Sequence, residues 1–63
     1  MYFILYKDVK GQWRWNYNSA NHKIIAVSSE SYINKQDAID SITLVKSGAA
    51  TAATYDQTQE KWI

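Results

Sequence analysis

The sequence comprises 63 residues with a mass of 7.3 kDa, no cysteine, one histidine and a formal net charge of +1. The lack of cysteine excludes disulfides and the usual zinc sites, and the nearly balanced charge gives no strong attraction to nucleic acid or acidic membranes. A domain of this size buries only about 60% of the surface of its unfolded chain. We therefore expect it to gain further buried surface by oligomerisation.

The apolar opening of the chain, residues 1–6, is too short to cross a membrane. It also lacks the basic flank and the small-residue cleavage site of a signal peptide, and Lys7 follows it directly. These features predict a cytoplasmic protein that is not inserted in a membrane.

The first predicted element is a strand over residues 2–7 (YFILYK), which are aromatic and β-branched types. Residues 8–11 then predict a turn in which Gly11 is free to adopt a positive φ. Apolar side chains occupy both faces of this strand. One face serves the core, and the other indicates an interface.

A second strand is predicted over residues 12–18 (QWRWNYN), where the period of two is the clearest signal in the chain. Arg14 and Asn16 occupy one face of this strand. The opposite face carries the aromatic residues Trp13, Trp15 and Tyr17. Strict alternation of this kind is more typical of core packing than of an exposed stacking surface.

A second turn over residues 18–22 leads to a third predicted strand at residues 23–28 (KIIAVS). Short connections favour antiparallel pairing, because parallel strands need a long crossover. The first three strands should therefore form an antiparallel meander.

The next element is a helix over residues 35–47, with Asn34 as its N-cap and Gly48 as its stop. Asp37 in the first turn and Lys46 in the last complement the helix dipole. The apolar stripe of this helix consists of Ala38, Ile42 and Val45, flanked by Ile39. Leu44 falls off the stripe and is expected to be exposed or to contact a partner.

Residues 49–55 (AATAATY) predict a weak fourth strand, because Gly48 has ended the helix and threonine and tyrosine favour strands. We assign one structural unit to residues 1–55 and a polar C-terminal tail to residues 56–63. The tail ends in Trp62 and Ile63. We expect the tryptophan to dock on an apolar surface, for which another subunit is one candidate; the sequence does not identify the surface. The fold class is α+β: a β-β-β-α-β unit whose antiparallel sheet is covered by one helix.

The order of these residues resembles the YegP-like family, small bacterial proteins described as a domain of unknown function. The resemblance spans about residues 2–50 and is carried by Tyr2-Phe3, Tyr6-Lys7-Asp8, Gly11, Trp13-Arg14-Trp15, Ala20-Asn21, Ile24-Ile25-Ala26, Ser28, Glu30, Tyr32, Lys35, Asp37-Ala38, Ile42 and Val45-Lys46. It implies a unit that occurs in tandem or as a homodimer, in which two units form a single sheet and exchange their C-terminal strands. Since this chain holds one unit, the implied state is a homodimer.

The chain departs from the family pattern at five positions. Family members usually carry glycine where this chain has His22, Ser29, Ser31 and Ser41, and a polar residue where it has Ile4. The resemblance fades after Ala50, so the exchanged strand is its least supported element. It implies a fold and no mechanism.

Catalytic chemistry is poorly supported by the residue pattern. His22 has no nucleophile or carboxylate placed beside it by sequence, and Asp37 and Asp40 are explained by solvent and the helix dipole. The serines near Glu30 lack a nucleophile elbow and a partnered base, and no glycine-rich phosphate loop is present. We predict no catalytic, cofactor-binding or metal-binding residue and no enzymatic activity. One alternative stays open, namely a site completed across a dimer.

Cationic residues interleaved with aromatic ones are the best functional signal. Such a pattern is used by sheets that stack bases and track phosphates. The cations concerned are Lys7, Lys10, Arg14 and Lys23. The candidate binding surface that we predict consists of Ile4, Tyr6, Lys7, Arg14, Asn16 and Lys23. The favoured function is a non-enzymatic homodimeric binding or structural module; the alternative is a weak nucleic-acid-binding protein.

Overall fold

A computed structural model describes all 63 residues and contains a three-stranded antiparallel sheet at its centre. The strands β1 (Tyr2–Lys7), β2 (Trp13–Asn18) and β3 (Ile24–Val27) lie in chain order, with β2 in the middle. The predicted meander is confirmed, with strand ends that differ by at most one residue from those expected.

Two tight turns set the pairing of the strands. In the β1–β2 turn the Asp8 side chain accepts hydrogen bonds from the amides of Lys10 and Gln12, at 2.9 and 3.0 Å. Gly11 adopts a φ of 76°, as predicted. In the β2–β3 turn the left-handed residue is His22, with a φ of 66° at a position where the resembling family has glycine.

One helix, α1 (Lys35–Gly48), covers a single face of the sheet. Asn34 is the N-cap with extended backbone, but its side chain makes no capping hydrogen bond. Its carbonyl instead accepts from the amides of Asp37 and Ala38. Leu44 lies off the packed stripe and is 73% exposed, as the periodicity predicts. No helix of the chain has the length and apolar character needed to cross a bilayer.

The core lies between α1 and β2 and is small. Only five of the 63 residues are buried, and the apolar ones are Trp15, Ala38 and Ile42. Trp15 is 7% exposed, packs edge-on against Phe3, and its indole N–H donates to the Ser41 hydroxyl at 2.8 Å. This supports the expectation that the aromatic face of β2 belongs to the core.

The prediction of a fourth strand over residues 49–55 is wrong for most of that range. Residues Ala49–Thr51 form a single 3₁₀ turn that continues from α1, and only Tyr55 enters a strand. Gly48 has a φ of −110° and a ψ of −24°, so it stays in the right-handed helical region and does not reverse the chain. Alanine then extends the helical path, in keeping with its high helix propensity.

The chain ends in a separate β-hairpin where a polar tail was expected. Strands β4 (Tyr55–Asp56) and β5 (Lys61–Trp62) pair only with each other, and neither packs against the sheet or α1. The hairpin makes the molecule elongated, at 40 × 26 × 21 Å. Its radius of gyration is 13.8 Å, where about 11 Å is expected of a compact domain of this length.

The sequence of the C-terminal hairpin repeats features of the β1–β2 hairpin. The spacing from Tyr6 to Trp13 across the β1–β2 turn is the same as that from Tyr55 to Trp62. In each case the fifth residue after the tyrosine has a positive φ, namely Gly11 in the first hairpin and Glu60 in the second. An aspartate accepts hydrogen bonds from turn amides in both.

Candidate functional site

The sheet face that α1 leaves uncovered brings together four of the predicted surface residues. Ile4 lies opposite Asn16, and Tyr6 lies opposite Arg14, so their side chains share one face. Val27 lies opposite Asn16 on the next strand and extends this surface, which we call the open face. Val27 was not predicted for this surface, because all four residues of β3 are apolar and their pattern does not distinguish its two faces.

A polar network forms one end of the open face. The Arg14 guanidinium donates to the Ser31 hydroxyl at 2.9 Å, and that hydroxyl donates to the Asp8 carboxylate at 3.2 Å. Arg14 also lies 3.9 Å from Asp8, and this is the single ion pair of the chain. The Ser31 hydroxyl therefore bridges Arg14 and Asp8.

The pKa of the Asp8 carboxyl is lowered from its usual value. The largest cause is the hydrogen bond from the Gln12 amide, and the Lys10 amide, the Ser31 hydroxyl and the charge of Arg14 add to it against the opposing effect of desolvation. Because these partners all favour the ionised carboxylate, Asp8 is suited to hold Arg14 and the turn in place.

The other two predicted surface residues lie elsewhere. Lys7 is opposite Trp13 on the face that α1 covers, and its ammonium sits 5.1 Å from the centre of the Trp13 ring. Lys23 lies in the turn beyond the far end of β2. The predicted cations are therefore spread over different parts of the molecule and do not line one surface.

A shallow apolar groove of about 410 Å³ lies where the end of α1 meets β1 and β2. Its lining residues are Phe3, Tyr17, Val45, Lys46, Ala49 and Ala50. The Lys46 ammonium lies 5.7 Å from the centre of the Phe3 ring at this site. Sequence analysis missed the groove because it assigned Ala49 and Ala50 to a strand.

Three of the polar residues considered for catalysis, His22, Ser28 and Asp40, have structural partners. The Tyr2 hydroxyl is hydrogen-bonded to His22 Nδ1 at 2.7 Å, and Ser28 is buried with its hydroxyl accepting from the Trp15 amide. The Gln36 side chain donates to the Asp40 carboxylate. No group of three histidine, aspartate or glutamate side chains is arranged to hold a metal ion.

The β3 edge of the sheet is apolar and open. Ile24, Ile25 and Val27 are each more than half exposed, and no strand pairs with the outer side of β3. An exposed apolar edge strand is a ready template for pairing with another chain.

Known proteins are similar to this chain in sequence and in fold. The chain is 50% identical over 54 residues to UPF0339 proteins of Neisseria meningitidis serogroups B and A, covering 86% of this chain and 91% of each relative. A protein from Haloferax volcanii with an NMR solution structure has the same fold. Its TM-score is 0.79 at 33% identity, and the match covers 87% of this chain and 92% of that one.

These findings agree with the resemblance seen in the sequence. Residues 8–56 match the family described as "Domain of unknown function (DUF1508)". The matched range runs from the β1–β2 turn through α1 to the end of β4, so it includes most of the sheet and the helix that packs on it. The chain is a member of the DUF1508 family.

Proposed function

We propose that the protein is a non-enzymatic homodimeric module, and that each copy joins the other through its C-terminal hairpin. The observation that carries this proposal is the exposure of the hairpin. Trp62 is 68% exposed, and Ile63 and Tyr55 are also exposed, on an element that packs against nothing in its own chain. Large apolar side chains held out in water on an ordered element are typical of an interface.

The groove supplies a matching surface for a partner's hairpin. It is apolar apart from Lys46, and its aromatic wall of Phe3 and Tyr17 suits an indole ring. Because Trp62 is already partly covered at 68% exposure, burying it there removes on the order of 150 Å² from water, or about 4 kcal/mol before the entropy cost of association. In a dimer with a two-fold axis, the hairpin of each copy would fill the groove of the other. No hairpin or groove would then be left to bind a third copy.

The small core supports the same conclusion. Three buried apolar side chains are few for a domain of 63 residues, and small scaffolds usually need disulfides, a metal or a partner chain. This chain has no cysteine. A second copy is the remaining source of buried surface that the chain can provide for itself.

The open face is the surface that such a dimer offers to further partners. Ile4, Tyr6 and Val27 provide apolar area, while Arg14 and Asn16 provide hydrogen-bonding groups beside it. The groove contains one charged side chain, Lys46, so its chemistry favours binding over acid–base catalysis.

The test compares two exposed apolar side chains by sedimentation equilibrium. Trp62→Ala should shift the mass from the dimer toward the monomer, because it removes the side chain proposed to fill the groove. Leu44→Ala is the matched control, since Leu44 is exposed to a similar extent, 73% against 68% for Trp62, but lies outside both hairpin and groove. Equal dimer masses for the two variants would show that the hairpin does not hold the copies together.

A further inference from the structure

Two lysine side chains converge on one tryptophan at the end of the sheet where β1 ends and β2 begins. The ammonium of Lys7 lies 5.1 Å, and that of Lys35 5.3 Å, from the centre of the Trp13 ring. The two ammonium groups therefore lie no farther apart than the sum of these two distances. Trp13 is half-buried and both lysines are exposed, so each ammonium lies over the ring while it stays in contact with water.

No carboxylate neutralises either ammonium. The one ion pair of the chain joins Arg14 to Asp8, and Asp8, the residue after Lys7, is held by Ser31 and two turn amides. Lys35 is moreover the first residue of α1, where the helix dipole favours a negative side chain. Two exposed lysines thus share one aromatic ring with no carboxylate paired to either, and Lys35 stands against the preference of the helix dipole. Such conflicts are typical of functional sites.

The three side chains come from elements that are fixed relative to one another. Trp13 and Tyr32 exchange two backbone hydrogen bonds of 2.7 and 2.8 Å, which tie the segment before α1 to the start of β2. Lys7 pairs with Trp13 in the β1–β2 register. The distance between the backbones of the two lysines is therefore fixed before a ligand binds. This lowers the conformational entropy that the protein loses on binding.

We infer that Lys7 and Lys35, whose flexible side chains meet beside Trp13, form a binding site for a phosphate group. A phosphate dianion carries several acceptor oxygens and can accept from two ammonium groups at once, and lysine is a common phosphate ligand in proteins. The site uses neither the groove nor the open face, so it does not depend on the proposed dimer.

The experiment is a titration of the ¹⁵N-labelled full chain with inorganic phosphate, read at the Trp13 indole N–H by NMR. Sodium chloride at equal ionic strength is the blank, because it screens the charges without bridging them. Phosphate should shift the Trp13 signal along a saturable curve in the millimolar range while chloride does not. Equal shifts with the two salts would overturn the assignment.

Variants test whether both lysines are needed. Lys7→Gln and Lys35→Gln should each weaken phosphate binding by about threefold or more. Lys35→Arg, which keeps the positive charge, should bind phosphate as the original chain does. Lys23→Gln, beyond the far end of β2, is the matched control and should bind as the original chain does. The phosphate-free spectrum of each variant reports whether the fold is intact. If a well-folded Lys7→Gln or Lys35→Gln protein binds phosphate as strongly as the control, the proposed site is wrong.

Discussion

Asp8 illustrates how a single side chain organises one end of the molecule. Its carboxylate accepts from two turn amides and from Ser31, and it faces Arg14 across 3.9 Å. The turn itself was predictable from Gly11 and from the residue types around it. The bridge to Ser31 was not, because it joins residues 23 positions apart whose proximity depends on the path of the chain after β3.

The lowered pKa of Asp8 makes stability depend on pH in a defined direction. A carboxyl whose folded pKa lies below its unfolded value of about 3.9 contributes stability above that value, and the contribution is lost as the pH falls through the folded pKa. Asp8→Asn should therefore be less stable than the original chain at neutral pH, and the difference should shrink in acid. Urea unfolding at a series of pH values measures this.

The control for this prediction is Asp40→Asn, which removes the same charge from an exposed helical carboxylate that bonds only the Gln36 side chain. The role assigned to Asp8 would be contradicted if the difference in free energy of unfolding between Asp8→Asn and the original chain stayed the same from neutral pH to below the unfolded pKa.

Other residues show where local rules hold and where context decides. Gly11 has the positive φ expected of a turn glycine. His22 has a positive φ without being glycine, and only comparison with the resembling family pointed to that position. Asn34 is the N-cap by its backbone position, but its side chain makes no capping hydrogen bond. The residue type predicted where the helix begins, and it did not determine the side-chain rotamer.

At the scale of elements, a hydrogen bond between Trp15 and Ser41 joins α1 to the sheet beside the buried apolar side chains Ala38 and Ile42. The Ser41 hydroxyl accepts from the buried indole at 2.8 Å and donates to the Ala38 carbonyl at 2.7 Å. The apolar stripe of α1 was predictable from its period. This hydrogen bond was not, because periodicity carries no information about which helix residue faces the Trp15 nitrogen.

Ser41→Ala should lower the free energy of unfolding by about 1 kcal/mol or more, because the buried indole N–H loses its acceptor. Ser47→Ala is a matched control, since Ser47 makes the same local bond to its own helix but contacts no tryptophan. Both changes raise helix propensity alike. Urea unfolding at one fixed protein concentration gives the comparison, and an equal effect of the two substitutions would refute the docking role.

The C-terminal elements show why a composition-based prediction failed. Alanine and threonine between Gly48 and Tyr55 have opposite preferences, and the helical path prevails through residue 51 because Gly48 does not adopt a left-handed conformation. The two strands that follow have two residues each, too short to show any periodicity. The one sequence feature that marks these two strands is the spacing from Tyr55 to Trp62, which repeats the spacing from Tyr6 to Trp13 in the first hairpin.

At the scale of the whole molecule, the chain has surfaces that its own fold leaves open. The helix covers one face of the sheet, the β3 edge is unpaired, and the hairpin stands apart. Sequence analysis anticipated the uncovered face through the apolar residues on both sides of β1. It could not anticipate the groove, which is formed by residues distant in sequence and exists only once α1 has packed.

The central claim is that two copies complete each other, and the absolute mass in solution tests it most directly. Light scattering over a hundredfold range of protein concentration should give a mass near twice 7.3 kDa throughout. The small core and the exposed Trp62 are the physical reasons for this expectation. A folded protein that stays at the mass of a single chain over that range would contradict the account.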